Sequence, residues 1–212
     1  MIAYTTRYFN VIAPVLRHLI QRRYGYALAK RAYDGARPIY RDLLAAAPPI
    51  GKDNPMAKNL YEACVFFALY RAADGELTPD MLREVVDDLF SMKVMRLVGV
   101  ATNLNQQRDV AMFNAILRNN ARWVREHPET EPYTWDFNFG DTASDTQVNY
   151  YFTRCPINDL CREQGLMDVL PIMCDIDHTT ARLAHGRLTR SYTLATDGPV
   201  CDYLIRGDRG VE

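Results

Sequence analysis

The spacing of apolar residues changes once along this chain, and that change limits the fold more than any other feature. Up to the segment HPETEPY, residues 127–133, apolar side chains recur every three or four positions; beyond it Trp135, Phe137 and Phe139 alternate with polar residues. The first period belongs to amphipathic helices and the second to half-buried strands. The expected fold class is α+β, a helical N-terminal part packed on a small C-terminal, mostly antiparallel sheet with helices. Two regions follow from the same break, a helical region over 1–130 and an α+β module over 131–212, which one continuous core would also accommodate. With 212 residues and 48% hydrophobic content, the chain has enough apolar material to fold without staples.

Local signals place the elements. Val11, Ile12, Val15, Leu16, Leu19 and Ile20 form one helical stripe, in which Pro14 requires a nearby helix start or a kink. Asn54-Pro55 and Thr78-Pro79 each pair a side-chain cap with a proline suited to the first turn. The first announces a helix carrying Leu60, Cys64 and Phe67 on one face; the second, after a turn at Gly75, one carrying Leu82, Val85, Val86, Leu89 and Phe90. Another helix is expected over 105–127, ending at Pro128. Past the change of period, a loop at 140–145 and an alternating segment at 148–154 predict a hairpin with Cys155 at its exit. Pro156 then opens a short helix reaching Gln164 and closed by Gly165. A helix over 169–185 and two strands, 188–195 and 200–206, complete the chain.

Charge is unevenly spread. Residues 1–42 hold eight Lys/Arg against two Asp/Glu, while 136–178 hold two against eight. The basic start is interleaved with apolar residues at helical spacing and has no cation run longer than a pair, so it reads as a solvated helix face and no nucleic-acid partner is expected. No apolar run approaches the roughly 18 to 20 residues that cross a bilayer, and the N-terminus has neither a basic region ahead of its apolar run nor a small-residue cleavage site. A cytoplasmic protein with a small-molecule substrate and no membrane partner is expected; a homo-oligomer is left open. Five cysteines are too few and too oddly counted for a disulfide framework, so they are expected to be thiols.

Four of those five lie in the last 58 residues, and Cys174 and Cys201 have aspartate neighbours. Three accounts compete. A metal site draws on Cys174 and His178, an i, i+4 pair, with Cys155 and Cys201 completing a tetrahedron, but there is no CxxC and Cys155 and Cys161 are six positions apart. A nucleophilic thiol draws on Cys155, seated between a strand and the proline of the next helix, where free N–H groups and the helix dipole stabilise a thiolate. Cys174, Asp177 and His178 share one face of the following helix, where Asp177 or His178 can carry a proton. Burial is the third account, and it suits Cys64 and Cys161, which sit among apolar helix residues. The thiol account needs no cofactor and no metal.

An ordered set of motifs adds to this. Thr153-Arg154-Cys155-Pro156, the run from Gly165 to Pro171, Cys174-x-x-Asp177, the run from Leu188 to Leu194 containing Arg190, and Gly198-Pro-Val-Cys201-Asp202 together resemble the L-2-amino-thiazoline-4-carboxylic acid hydrolases. The resemblance covers the last quarter to third of the chain, and its specificity lies in the order of the set. It implies hydrolytic opening of a cyclic amidine, the thiazoline ring, to an N-carbamoyl-cysteine product, by a hydrolase of the class acting on carbon–nitrogen bonds of cyclic amidines. Whether the tetrahedral intermediate expels the ring sulfur or an amine, and whether such a ring is opened or formed, stay open. Carried over by position, it implies catalytic roles for Cys155, Cys174, Asp177 and Cys201, and substrate contacts for Arg190 and Asp202; His178 joins the substrate contacts by adjacency. Asp197 stands in a turn where a smaller residue is expected. Arg190 has two open readings, a bidentate clamp on the substrate carboxylate or an internal bridge to Asp177 or Asp202. A metal-binding or small-molecule-sensing module using the same cysteines is the alternative function.

Overall fold

The computed structural model describes residues 2–51, 53–95, 102–140 and 146–209. Its elements are, in chain order, α1 (Arg7–Tyr24), α2 (Tyr26–Ala46), α3 (Ala57–Ala72), α4 (Pro79–Ser91), α5 (Gln107–Glu126), β1 (Asn138–Phe139), β2 (Gln147–Phe152), α6 (Pro156–Gln164), α7 (Leu170–Leu183), β3 (Gly186–Thr189) and β4 (Cys201–Gly207). Short 3-10 turns lie at Glu131–Tyr133 and Leu194–Thr196. The fold is α+β, helices first and a four-stranded antiparallel sheet toward the C-terminus. Two compact units cut across chain order: Met1–Phe90 with Pro156–Ile172, and Ser91–Cys155 with Met173–Glu212.

The first unit is helical. α3 is buried on nearly every side, from Leu60 and Tyr61 through Ala63 to Leu69, which marks it as the central helix. It starts at Ala57 with Met56 at the N-cap and no side-chain cap, so Asn54 and Pro55 form the turn ahead of it and not its first turn. Asn54 Oδ1 accepts the Met56 N–H at 2.8 Å while its amide donates to the Ile50 carbonyl at 2.8 Å. α2 comes close enough to α3 that a Cβ on Gly35 would sit 3.2 Å from the Ala72 Cβ. The buried face of α1 is Phe9, Ala13, Leu16, Leu19 and Ile20, rotated from the expected stripe, with Val11 66% exposed. The rotation follows from packing: α2 and α3 meet α1 on the side where Phe9 contacts the rings of Tyr33 and Tyr40. Pro14 lies inside α1 and not at its start. Thr78 caps α4, accepting the Met81 N–H at 3.3 Å. α6 spans the expected residues and ends at Gly165 in the left-handed region, φ 64°. Cys161 on α6 and Cys64 on α3 are both fully buried, and burial holds the Cys64 thiol well above its ordinary pKa. Both therefore act as small core hydrophobes.

The second unit is a sheet of order β1-β2-β4-β3 with α5 against β2. The register sets Phe152 opposite Cys201, Tyr150 opposite Tyr203 and Val148 opposite Ile205, with Leu188 on the other side of Ile205. Because side chains alternate along a strand, these residues share one face. From residue 141 onward, the loop expected at 140–145 lies outside the described residues. The strand expected at 188–195 stops at Thr189. Its continuation leaves the ladder because the Ser191 and Tyr192 N–H groups donate to the Asp202 carboxylate and the Leu194 N–H to Cys201 Sγ. No helix of the described residues is long and apolar enough to cross a membrane.

Candidate functional site

Strand alternation in β4 puts Cys201 and Tyr203 on the same face. Around Tyr203 lies an aromatic layer: Tyr150 stacks on it with centroids 4.5 Å apart and planes 7° apart, and Phe152 meets it edge-on at 5.6 Å. Phe137 meets Phe152 in turn at 5.0 Å. Tyr150 and Phe152 are buried, and burial drives the hydroxyl pKa of both Tyr150 and Tyr203 upward, so both stay protonated donors.

Arg190, one residue beyond β3 and on the side of Leu188, lies over this layer with Cζ 4.2 Å from the Tyr203 ring centroid. Its side chain is 5% exposed. A guanidinium so enclosed needs partners, and each of its three nitrogens has one: Nη2 donates to Asp177 Oδ2 at 2.7 Å, Nη1 to the Cys174 carbonyl at 3.0 Å and Nε to the Asp202 carbonyl at 3.2 Å. Of the two readings of Arg190, the geometry forms the internal bridge to Asp177. The helical i, i+3 spacing in α7 brings Cys174 and Asp177 to the arginine together.

Asp177 is 40% exposed and uses its two oxygens unequally. Oδ2 accepts from both Arg190 and the Tyr203 hydroxyl, the latter at 3.0 Å. Oδ1 accepts no hydrogen bond among the described residues. The half-buried thiol of Cys174 lies on the same helix face. Its pKa is raised, chiefly by burial and then by the nearby Cys155, Cys201 and Asp177, with Arg190 opposing. Cys155, Cys201 and Asp177 therefore all lie within electrostatic reach of the Cys174 sulfur. Burial also raises the Cys201 thiol, partly offset by the Leu194 N–H it accepts at 3.2 Å.

Cys155 is half-buried at the exit from β2, directly before Pro156 and α6. The chain ahead of it is held by Asp136, whose Oδ1 accepts the N–H groups of Thr153 at 2.8 Å and Arg154 at 2.7 Å. Asp136 Oδ2 accepts the Thr153 hydroxyl and the Asn138 amide. The Asp202 carboxylate is committed to the turn after β3, accepting from the Ser191 N–H at 2.9 Å and the Tyr192 N–H at 2.6 Å. His178 is half-buried beside Asp177, and its side chain makes no hydrogen bond or ion pair among the described residues. Among those residues no three His, Cys, Asp or Glu side chains are grouped to hold a metal ion, so Cys155, Cys174, His178 and Cys201 do not form the tetrahedral set their spacing allowed.

Sequence reasoning missed Tyr203, Tyr150 and Asp136. Tyr203 had a signal, since it stands two positions from Cys201 on a strand and so faces the same way. Asp136 had none, because its partners lie 17 and 18 residues further on.

A family model described as L-2-amino-thiazoline-4-carboxylic acid hydrolase matches residues 58–205. No curated protein and no solved structure gives a match. The matched span begins on α3, well before the motifs that carry the sequence resemblance, and it contains Cys155, Cys174, Asp177, Arg190, Cys201 and Tyr203. Covering more than half of the chain, it shows that the chain belongs to the L-2-amino-thiazoline-4-carboxylic acid hydrolase family.

Proposed function

We propose that this hydrolase opens 2-amino-thiazoline-4-carboxylate, or a close cyclic amidine, and that Asp177 carries the reaction. Water adds to the amidine carbon and its oxygen becomes the carbonyl of a urea. The ring carbon–sulfur bond breaks, and the sulfur takes a proton and leaves as the thiol of N-carbamoyl-cysteine. The observation that carries this reading is the asymmetry of Asp177: Oδ2 is occupied by Arg190 and Tyr203, while Oδ1 has no partner among the described residues on a side chain that keeps 40% exposure. Such an oxygen can hold the cationic amidine and take the proton of the attacking water. The raised thiol pKa values of Cys174 and Cys201 support attack by water over attack by either sulfur, because the thiolate is the nucleophilic form. In this reading the two thiols wall the site as neutral groups and Arg190 holds the base.

A second reading rests on Cys155, which directly precedes the first residue of α6. Its thiolate would attack the amidine carbon and expel the ring sulfur, and water would then cleave the S-linked isothiourea and restore the thiol. Assay of 2-amino-thiazoline-4-carboxylate turnover by Asp177→Asn and Cys155→Ser, with the product identified by mass, separates the two. Loss in Asp177→Asn with activity kept in Cys155→Ser supports attack by water. Loss in Cys155→Ser with a trapped adduct in the wild type supports the thiol. Activity kept in both variants overturns both.

A further inference from the structure

We infer that Tyr203 is a positioning residue for this reaction, fixing the rotation of the Asp177 carboxylate so that Oδ1 faces substrate; the inference rests on the Asp177 reading. The tyrosine ring is itself held. Register pairs it with Tyr150, which stacks on it at 4.5 Å; Phe152 meets it edge-on at 5.6 Å, and the Arg190 guanidinium lies over it at 4.2 Å. With the ring fixed, the hydroxyl is a stationary donor, 3.0 Å from Asp177 Oδ2. Arg190 Nη2 approaches the same oxygen to 2.7 Å. One donor would leave the carboxylate free to pivot about that contact, whereas two donors, one on β4 and one on the segment after β3, define its plane. The charged or titratable groups around Asp177 include Tyr203, Tyr150 and Cys201 from the sheet, Arg190 from the segment after β3, and Cys174 and the adjoining His178 from its own helix.

Tyr203→Phe removes the hydroxyl alone and keeps the stack and the cation–π contact. Orientation of a reacting group acts on the chemical step, so kcat is expected to fall roughly 10- to 100-fold while KM stays within about twofold. The melting temperature should stay within a few degrees of wild type. An unchanged kcat, or a loss confined to KM or to stability, overturns the inference. Asp177→Asn is measured in parallel. If it keeps wild-type turnover, the Asp177 reading itself has failed and the inference falls with it. If it is inactive while Tyr203→Phe keeps its kcat, the inference fails alone.

Discussion

Arg190 and Asp177 meet through one atom pair, Nη2 and Oδ2 at 2.7 Å, with the arginine buried and the aspartate 40% exposed. The pair is lopsided: one partner is enclosed, with a hydrogen bond from each of its three nitrogens, and the other keeps an edge toward solvent. A buried arginine is a costly group to leave unpaired, and here two backbone carbonyls share its charge with the carboxylate.

Arg190→Ala should therefore act on the fold before it acts on chemistry. Removing the guanidinium takes a donor from each of two carbonyls and leaves Asp177 Oδ2 with the Tyr203 hydroxyl alone, for a loss of about 3 kcal/mol. Chemical denaturation measures it. Arg190→Lys should recover only part, because an ammonium cannot reproduce the three-way fork.

Asp202 belongs to the turn after β3, so its substitution should register as stability and not as substrate affinity. Asp202→Ala leaves the Ser191 and Tyr192 N–H groups to water, at a cost of about 1 kcal/mol, with KM unchanged. A large rise in KM with full stability would return Asp202 to the substrate contacts.

Asp136→Ala should loosen the chain ahead of Cys155. Four donors lose one acceptor, and hydrogen bonds to a charged group are worth about 1.5–3 kcal/mol. Iodoacetamide labelling read residue by residue should show a changed rate at Cys155 and an unchanged rate at Cys64, which sits in the other unit's core.

Burial raises the thiol pKa of Cys64, Cys174 and Cys201 in the folded chain. A group whose folded pKa exceeds its unfolded value contributes stability that is complete below the unfolded value, about 8.5 for a thiol. That contribution is lost as pH rises from there toward the folded value. Unfolding free energy should fall steadily above about pH 8.5, and Cys174→Ala should flatten the slope.

The parts of this fold legible in the sequence are those fixed by short-range chemistry. Pro156 and Gly165 bracket α6 because a proline and a left-handed glycine act within a turn of themselves. Thr78 likewise marks the start of α4. The parts that were not legible depend on distant partners. α1 turns Val11 outward because its neighbours lie on the Phe9 side. β3 ends early because the Asp202 carboxylate, eleven residues beyond Ser191, takes N–H groups that a longer strand would have spent on β4. At the site, Cys174 and Asp177 could be paired by helical spacing and Cys201 by motif. Tyr203 becomes visible as the donor to Asp177 only once the register sets it beside Tyr150 and the arginine crosses over it.

The most direct measurement is turnover of 2-amino-thiazoline-4-carboxylate by Asp177→Asn, in a protein whose circular dichroism matches wild type. Amide for carboxylate keeps the size and an acceptor for Arg190 and removes the base. With Asp177 as the group that activates water, kcat/KM falls by at least about a hundredfold. Turnover within a few-fold of wild type would contradict the account.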